Sequence, residues 1–337
     1  MDLHDVTVVI LSRGREIELV KTLEYWSNFD ISVLVLHNTE KPLQRIADMP
    51  NVRYVVAKLP YGERCGMVSE YLATEYAILS SDDEVYLPSA LAEMKALLDN
   101  DRDLKSIGAL TLAIGSYGPM TTGTFSYSKM LGYSNRAKTP LNRLNAHFSE
   151  NGGYRNGAIY RLMRKELMNS MMNLFAQISE CSTPYIYEVT GEIFINASGE
   201  SQYVDTIYWL RNWINSPVGH QNWDRKLYFK DWISRELYKS QYLKWKIILQ
   251  EATKISSGDF HFALSKIVQL RKQSEEYEEM KNIRRRWALP ANIKWLIRKI
   301  LNPKTLPTSI FTLMNDLEAI GIKVDQEGVI KGLNTLS

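Results

Sequence analysis

Cysteine is almost missing from this chain, with only Cys65 and Cys181 among 337 residues. Two thiols cannot build a disulfide framework, so a reducing compartment is the simpler expectation. An excess of charge of either sign is missing too. The 41 basic residues meet 38 acidic ones for a net charge of +3, which leaves no broad electropositive surface for nucleic acid. No apolar run approaches a membrane span. The segment Met1 to Asp5 holds two acids and lacks the apolar stretch of a signal peptide. What remains is ordinary: 45% hydrophobic and 23% charged residues, in a length that holds one large domain or two average ones. The expectation is a cytoplasmic globular protein that does not bind nucleic acid.

Before about residue 215, short apolar runs alternate with amphipathic segments. Val6 to Leu11, Ile31 to Leu36, Val52 to Ala57 and Ala77 to Leu79 read as buried strands. Glu16 to Trp26 and Val68 to Thr74 read as helices between them. Such alternation predicts crossover units and an α/β sheet with helices on both faces. Ligands in such sheets sit at the carboxyl ends of the strands, where strand order switches. The turns Ser12-Arg13-Gly14-Arg15 and His37-Asn38-Thr39 then share one edge with three consecutive carboxylates, Asp82, Asp83 and Glu84. Adjacent negative charges repel, so the triplet is either a solvated turn or a place for a hard divalent cation.

Four segments, "VTVVILSRGREIELVKTLEYW", "ISVLVLHNTEKP", "YGERCGMVSEYLATEYAILSSDDEVYLP" and "NGGYRNGAIYRLMRKEL", occur in an order that resembles the GT-A glycosyltransferases. The likeness is to the inverting, family-2-like enzymes of bacterial surface-polysaccharide synthesis, and it spans roughly residues 5 to 200. It implies a Rossmann-like nucleotide-binding mixed sheet over residues 1–215. It also implies a nucleotide-sugar donor, a glycan or lipid-linked acceptor, and Mn2+ or Mg2+ as cofactor. Ser12, Arg13, Asn38, Arg64, Asp82 and Asp83 would contact the donor, and Asp82 with Glu84 would hold the metal. The chemistry is coherent: a leaving diphosphate gains negative charge, which a cation and arginines such as Arg13, Arg15 or Arg64 can stabilise. The chain departs from the family pattern where Glu84 ends the acidic motif and where Asn38 replaces the usual aspartate. It has no QxxRW motif, since "QNWDR" at 221–225 runs in a different order.

An inverting transfer needs a base for the acceptor hydroxyl. Glu188 and Glu192 in "YIYEVTGEIFINASGES" would lie on one helical face, and the expected base is Glu192. It follows Gly191, a residue that would let substrate approach closely. Glu188, Asp205, His147 and His220 are the alternatives. "SENGGYRNG", residues 149–157, reads as a flexible loop near the acceptor and not as a P-loop. Residues 216–337 read as a helical region, with partial stripes such as Trp232, Leu237 and Tyr242, and Phe260, Ala263 and Ile267. Within it, residues 281–301 set Arg284, Arg285, Arg286, Lys294, Arg298 and Lys299 against Trp287, Trp295 and several aliphatics. This suits either a packed helix with a solvated basic face or contact with an anionic membrane surface. Two other functions compete. A sugar nucleotidyltransferase would want a glycine-rich loop where "LSRGRE" stands, and a non-catalytic nucleotide-fold interaction protein would have no need of the triplet.

Overall fold

The computed structural model describes residues 2–46, 49–117, 120–126, 130–148, 154, 157–212, 227–286 and 308–336. Its layers follow from the alternation of side chains along strands buried on both faces. The four expected strands are present as β1 (Leu3–Ile10), β2 (Ile31–His37), β3 (Val52–Val56) and β4 (Tyr76–Ser80). They pair in parallel in the order β3-β2-β1-β4. Val6, Val8, Ile10, Val33, Val35 and Ile78 enter one core, whereas Val9, Leu34, Leu36, Ala77 and Leu79 enter the other. With β2 on one side of β1 and β4 on the other, strand order switches at β1. A crevice therefore opens at the carboxyl ends of these strands.

Beyond β4 the sheet becomes mixed. β5 (Val85–Tyr86), β6 (Leu104–Tyr117), β7 (Met120–Ser126), β8 (Ser134–Asn135), β9 (Leu162–Arg164) and β10 (Glu200–Asn212) complete ten strands among the described residues. The main path runs β3-β2-β1-β4-β9-β6-β10-β5, with β7 on β6 and β8 on β10. β9 is antiparallel to both β4 and β6, while β6 and β10 run parallel. Helices α1 (Glu16–Trp26) and α3 (Pro88–Asn100) cover the first face. Helices α2 (Tyr61–Tyr71), α4 (Pro140–His147), α5 (Lys165–Gln177) and α6 (Tyr185–Ser198) cover the second.

The C-terminal helices are divided between the two faces. α7 (Phe229–Ser234), α8 (Lys239–Thr253) and α9 (Ser257–Arg286) pack on the second face through Trp232, Trp245, Phe260 and Ile267. α10 (Ile310–Ala319) and α11 (Gln326–Leu336) return to the first, inserting Ile310, Met314 and Val329. Leu237 does not join the expected stripe and is 79% exposed. The expected boundary near residue 215 lies outside the described residues, as do His220, "QNWDR" and the membrane-type segment beyond residue 286. Among the described residues no helix is long and apolar enough to cross a membrane.

Helix α2 corrects a sequence expectation, because it begins at Tyr61 and not at Val68. Gly62 and Gly66, one turn apart, depress its intrinsic propensity. Their missing side chains are what let α5 approach. A Cβ on Gly62 would sit 2.6 Å from Ser179 Cβ and 2.9 Å from the Phe175 carbonyl, and one on Gly66 would sit 3.1 Å from Ala176 Cβ. Packing outweighs propensity here. Gly62→Ala should therefore destabilise the fold by about 1–3 kcal/mol. Gly258→Ala, in α9 where a Cβ meets nothing within 4 Å, should stabilise it by up to about 1 kcal/mol. Urea denaturation of the two variants, expected to move in opposite directions, checks both.

Candidate functional site

At the switch point the turn after β1 meets the turn after β4 through Ser12. Its Oγ donates to Asp82 Oδ2 at 2.9 Å, and its N–H donates to the Leu36 carbonyl at 3.2 Å. Its own carbonyl accepts from Asn38 N–H at 3.0 Å and from Arg64 Nη1 at 2.8 Å. Arg64 is buried and also donates to the carbonyls of Leu36 (2.8 Å) and Leu59 (3.2 Å). Of the residues expected to touch a donor, Ser12, Asn38, Arg64 and Asp82 are thus brought together. Arg64, however, directs these donors into backbone and fastens the loops. Arg13 is exposed beside them, and its backbone N–H bonds the Asp82 carboxylate.

Gly14, at φ +66°, turns the chain so that Arg15 can follow it into α1. The Arg15 guanidinium forms an ion pair with Asp83 and lies 3.5 Å from Asp82. Ser81 Oγ holds the second Asp83 oxygen at 2.9 Å, and Thr22 Oγ1 bonds the Asp82 carbonyl at 2.9 Å. Glu84 turns the other way. Its carboxylate accepts from Trp209 Nε1 at 3.1 Å and pairs with Arg211 Nε at 3.3 Å, both on β10. The Arg15 guanidinium is thus shared by Asp82 and Asp83, whereas Glu84, expected beside Asp82 at a metal, is held by Trp209 and Arg211.

All three acids are buried, each 6–7% exposed. Burial, reinforced by the neighbouring Asp83 charge, pushes the Asp82 carboxyl up to about 6, although Ser12 and Arg15 pull against it. Burial pushes Glu84 up to about 7, with Arg211 partly compensating. Among the described residues no three His, Cys, Asp or Glu side chains are arranged to hold a metal ion. The hard oxygens of Asp82 and Asp83 suit a divalent cation that takes its remaining ligands from phosphate and water, as magnesium commonly does.

The expected base residues lie on α6 and form a second cluster. Glu192 is 1% exposed; Oε1 accepts Ala158 N–H at 2.6 Å, and Oε2 lies 3.1 Å from His147 Nε2. Gly191 does not leave room for a ligand as expected, because the space where its Cβ would stand is filled by Ile159 Cγ2 at 2.1 Å. Glu188 is more open and lies 3.6 Å from Arg271 Nη2. Asp205 is exposed on β10, where it accepts from Gly132 N–H at 3.2 Å. A single 3₁₀ turn, Ala158–Tyr160, joins the two clusters. Its first N–H binds Glu192, and its Tyr160 ring packs 4.4 Å from Trp209, the partner of Glu84.

Trp209, Arg211, Thr22 and Tyr133 escaped the sequence reading. For the first two, the i, i+2 spacing in "YWLRN" was the available signal, since it places both side chains on one face of a strand.

No protein-family model matches the sequence, and no curated protein matches it. Among solved structures the fold is similar to that of S. aureus TarS 1-349, with a TM-score of 0.46 and 11% identity over 81% of this chain and 91% of that one. A second S. aureus TarS structure aligns at a TM-score of 0.45 and 12% identity, over 80% of this chain and 55% of that one. Likeness at this distance assigns no activity.

The raised carboxyls make a signed prediction. Unfolded, Asp and Glu titrate near 3.8 and 4.5; folded, these two titrate near 6 and 7. Between those limits the folded state binds more protons, so stability falls as pH rises through about 4 to 7. Their contribution is most unfavourable above about pH 7. In EDTA, Asp82→Asn and Glu84→Gln should each flatten the loss of stability between about pH 4 and 7. Denaturant midpoints measured across that range check it.

Proposed function

We propose that this chain is a glycosyltransferase that binds a nucleotide-sugar donor at the switch-point crevice and passes the sugar to a glycan or lipid-linked acceptor. The observation that carries the reading is the buried acidic turn tied through Ser12 to the β1 loop. Carboxylates kept at raised pKa in a low-dielectric crevice are costly for stability, and such cost concentrates where function needs it. Asp82 and Asp83 would hold Mn2+ or Mg2+, and when bound the ion would offset charge developing on the leaving diphosphate. Arg15, which pairs with these carboxylates, would move to phosphate oxygens, for which its planar fork is suited. Ser12, Arg13 and Asn38 would contact the nucleoside. Glu84, tied to Trp209 and Arg211, would shape the wall beyond the sugar.

Transfer with inversion would follow from a base on the far side of the anomeric carbon, and Glu192 is the residue proposed for it. Burial between Ala158 and His147 would keep that carboxylate in a fixed orientation. The adjoining 3₁₀ turn would relate it to the Glu84–Trp209 wall.

Calorimetric titration of UDP and GDP with and without manganese tests the donor site. Asp82→Asn should weaken the manganese-dependent affinity about tenfold or more, a loss of about 1.4 kcal/mol or greater. Unchanged affinity would refute the site. For the base, Glu192→Gln should leave nucleotide binding intact and lower transfer by about two to four orders of magnitude. Retained turnover in Glu192→Gln, with Glu188→Gln inactive, would reassign the role to Glu188.

A further inference from the structure

The surroundings of Glu192 determine more than its position. Asn135 Nδ2 donates to the Arg143 carbonyl at 2.9 Å and to Tyr133 Oη at 3.1 Å. A carbonyl only accepts, so the nitrogen assignment of this amide is fixed. The Tyr133 oxygen therefore already accepts one hydrogen bond. Its own hydroxyl hydrogen has His147 Nδ1 within reach at 2.8 Å and Asn196 Oδ1 at 3.5 Å. The shorter contact is the stronger, and Asn196 Oδ1 already accepts from Arg161 Nη1 at 3.2 Å. A hydrogen bond into Nδ1 requires a bare lone pair there. Neutral His147 then carries its hydrogen on Nε2, which faces Glu192 Oε2 at 3.1 Å.

Further charged groups pack around this pair. Arg161 is fully buried and stacks 5.7 Å from the Tyr133 ring and 5.2 Å from the Tyr203 ring of β10. Arg143 of α4 donates Nε to the Asn196 carbonyl at 3.2 Å. On the far side, Tyr154 lies against Arg271 of α9, whose charge is shared between Glu275 and Glu188.

We infer that Tyr133 and His147 are positioning residues for Glu192. Tyr133 selects the imidazole tautomer, and the resulting Nε2–H, together with Ala158 N–H, holds one carboxylate oxygen each. The inference rests on the reading of Glu192 as the base. It adds that the orientation of that base is set from β8 and α4 through a neutral imidazole, the logic by which a group behind a catalytic residue fixes its geometry.

The test is ¹⁵N NMR of the full chain labelled at histidine, which has five such residues, with His147→Gln assigning the signal. Wild type should show a neutral Nε2–H tautomer at pH 7 with a hydrogen-bonded Nδ1. Tyr133→Phe should introduce the Nδ1–H form. An Nδ1–H tautomer or an imidazolium in wild type would overturn the inference. Turnover is read with the nucleotide sugar that wild type hydrolyses fastest from a panel of UDP- and GDP-sugars. His147→Leu should lower it about 10- to 100-fold with KM for that donor unchanged. His147→Gln, whose amide still donates, should recover most of the loss. Equal losses in His147→Leu and His147→Gln would overturn the positioning role alone. Retained turnover in Glu192→Gln would remove the base reading itself, whatever the tautomer.

Discussion

Ser12 is the residue on which the arrangement of this protein depends. Its main chain bonds the end of β2 and receives Arg64 from α2, while its hydroxyl holds the carboxylate that follows β4. Three crossover units thus meet at one residue. Each single bond is worth only about 1 kcal/mol net, but breaking any of them leaves a buried polar group unpaired, which costs more. Buried carboxylates tolerate their position only with partners, and Asp82 has Ser12, Arg15 and the Arg13 N–H. Even so its carboxyl remains raised to about 6. That residual cost distinguishes this turn from an ordinary solvated one.

The second cluster is organised differently. Around Glu192 the side chains come from β8 and the residue before it, α4, α6 and the segment after the 3₁₀ turn. The acidic turn needs only neighbours close in the sheet, whereas this cluster needs the whole second face to be packed. Trp245 of α8 donates to Thr190 Oγ1 at 2.8 Å, two residues before Glu192 on α6. The C-terminal helices are therefore part of what holds α6 in place. On the other face α11 packs against α1 and β10, which carry Thr22 and the Glu84 partners, while α10 packs on β7.

Much of this was readable from residue order. α1 was located to the residue, and the four leading strands to within a few residues, because β-branched runs and helical spacing are local signals. α2 was placed too late because Gly62 and Gly66 look like helix breakers until α5 is seen lying against them. Gly191 reads as an opening in the sequence, yet Ile159 fills the space. The Asp82, Asp83, Glu84 triplet was recognised as a group, but its division was not. Which acid faces Arg15 and which faces Trp209 depends on strands more than a hundred residues away.

Residue order alone establishes the α/β class and the edge of the sheet where polar loops gather. Alternation and turn chemistry act over a few residues, and the carboxyl ends of parallel strands must lie together. Only the tertiary structure decided that Glu84 belongs to β10, that Arg64 fastens loops, and that Glu192 stands between Ala158 and His147. Those outcomes depend on which side chain reaches a given buried donor first, a competition settled by packing between distant segments.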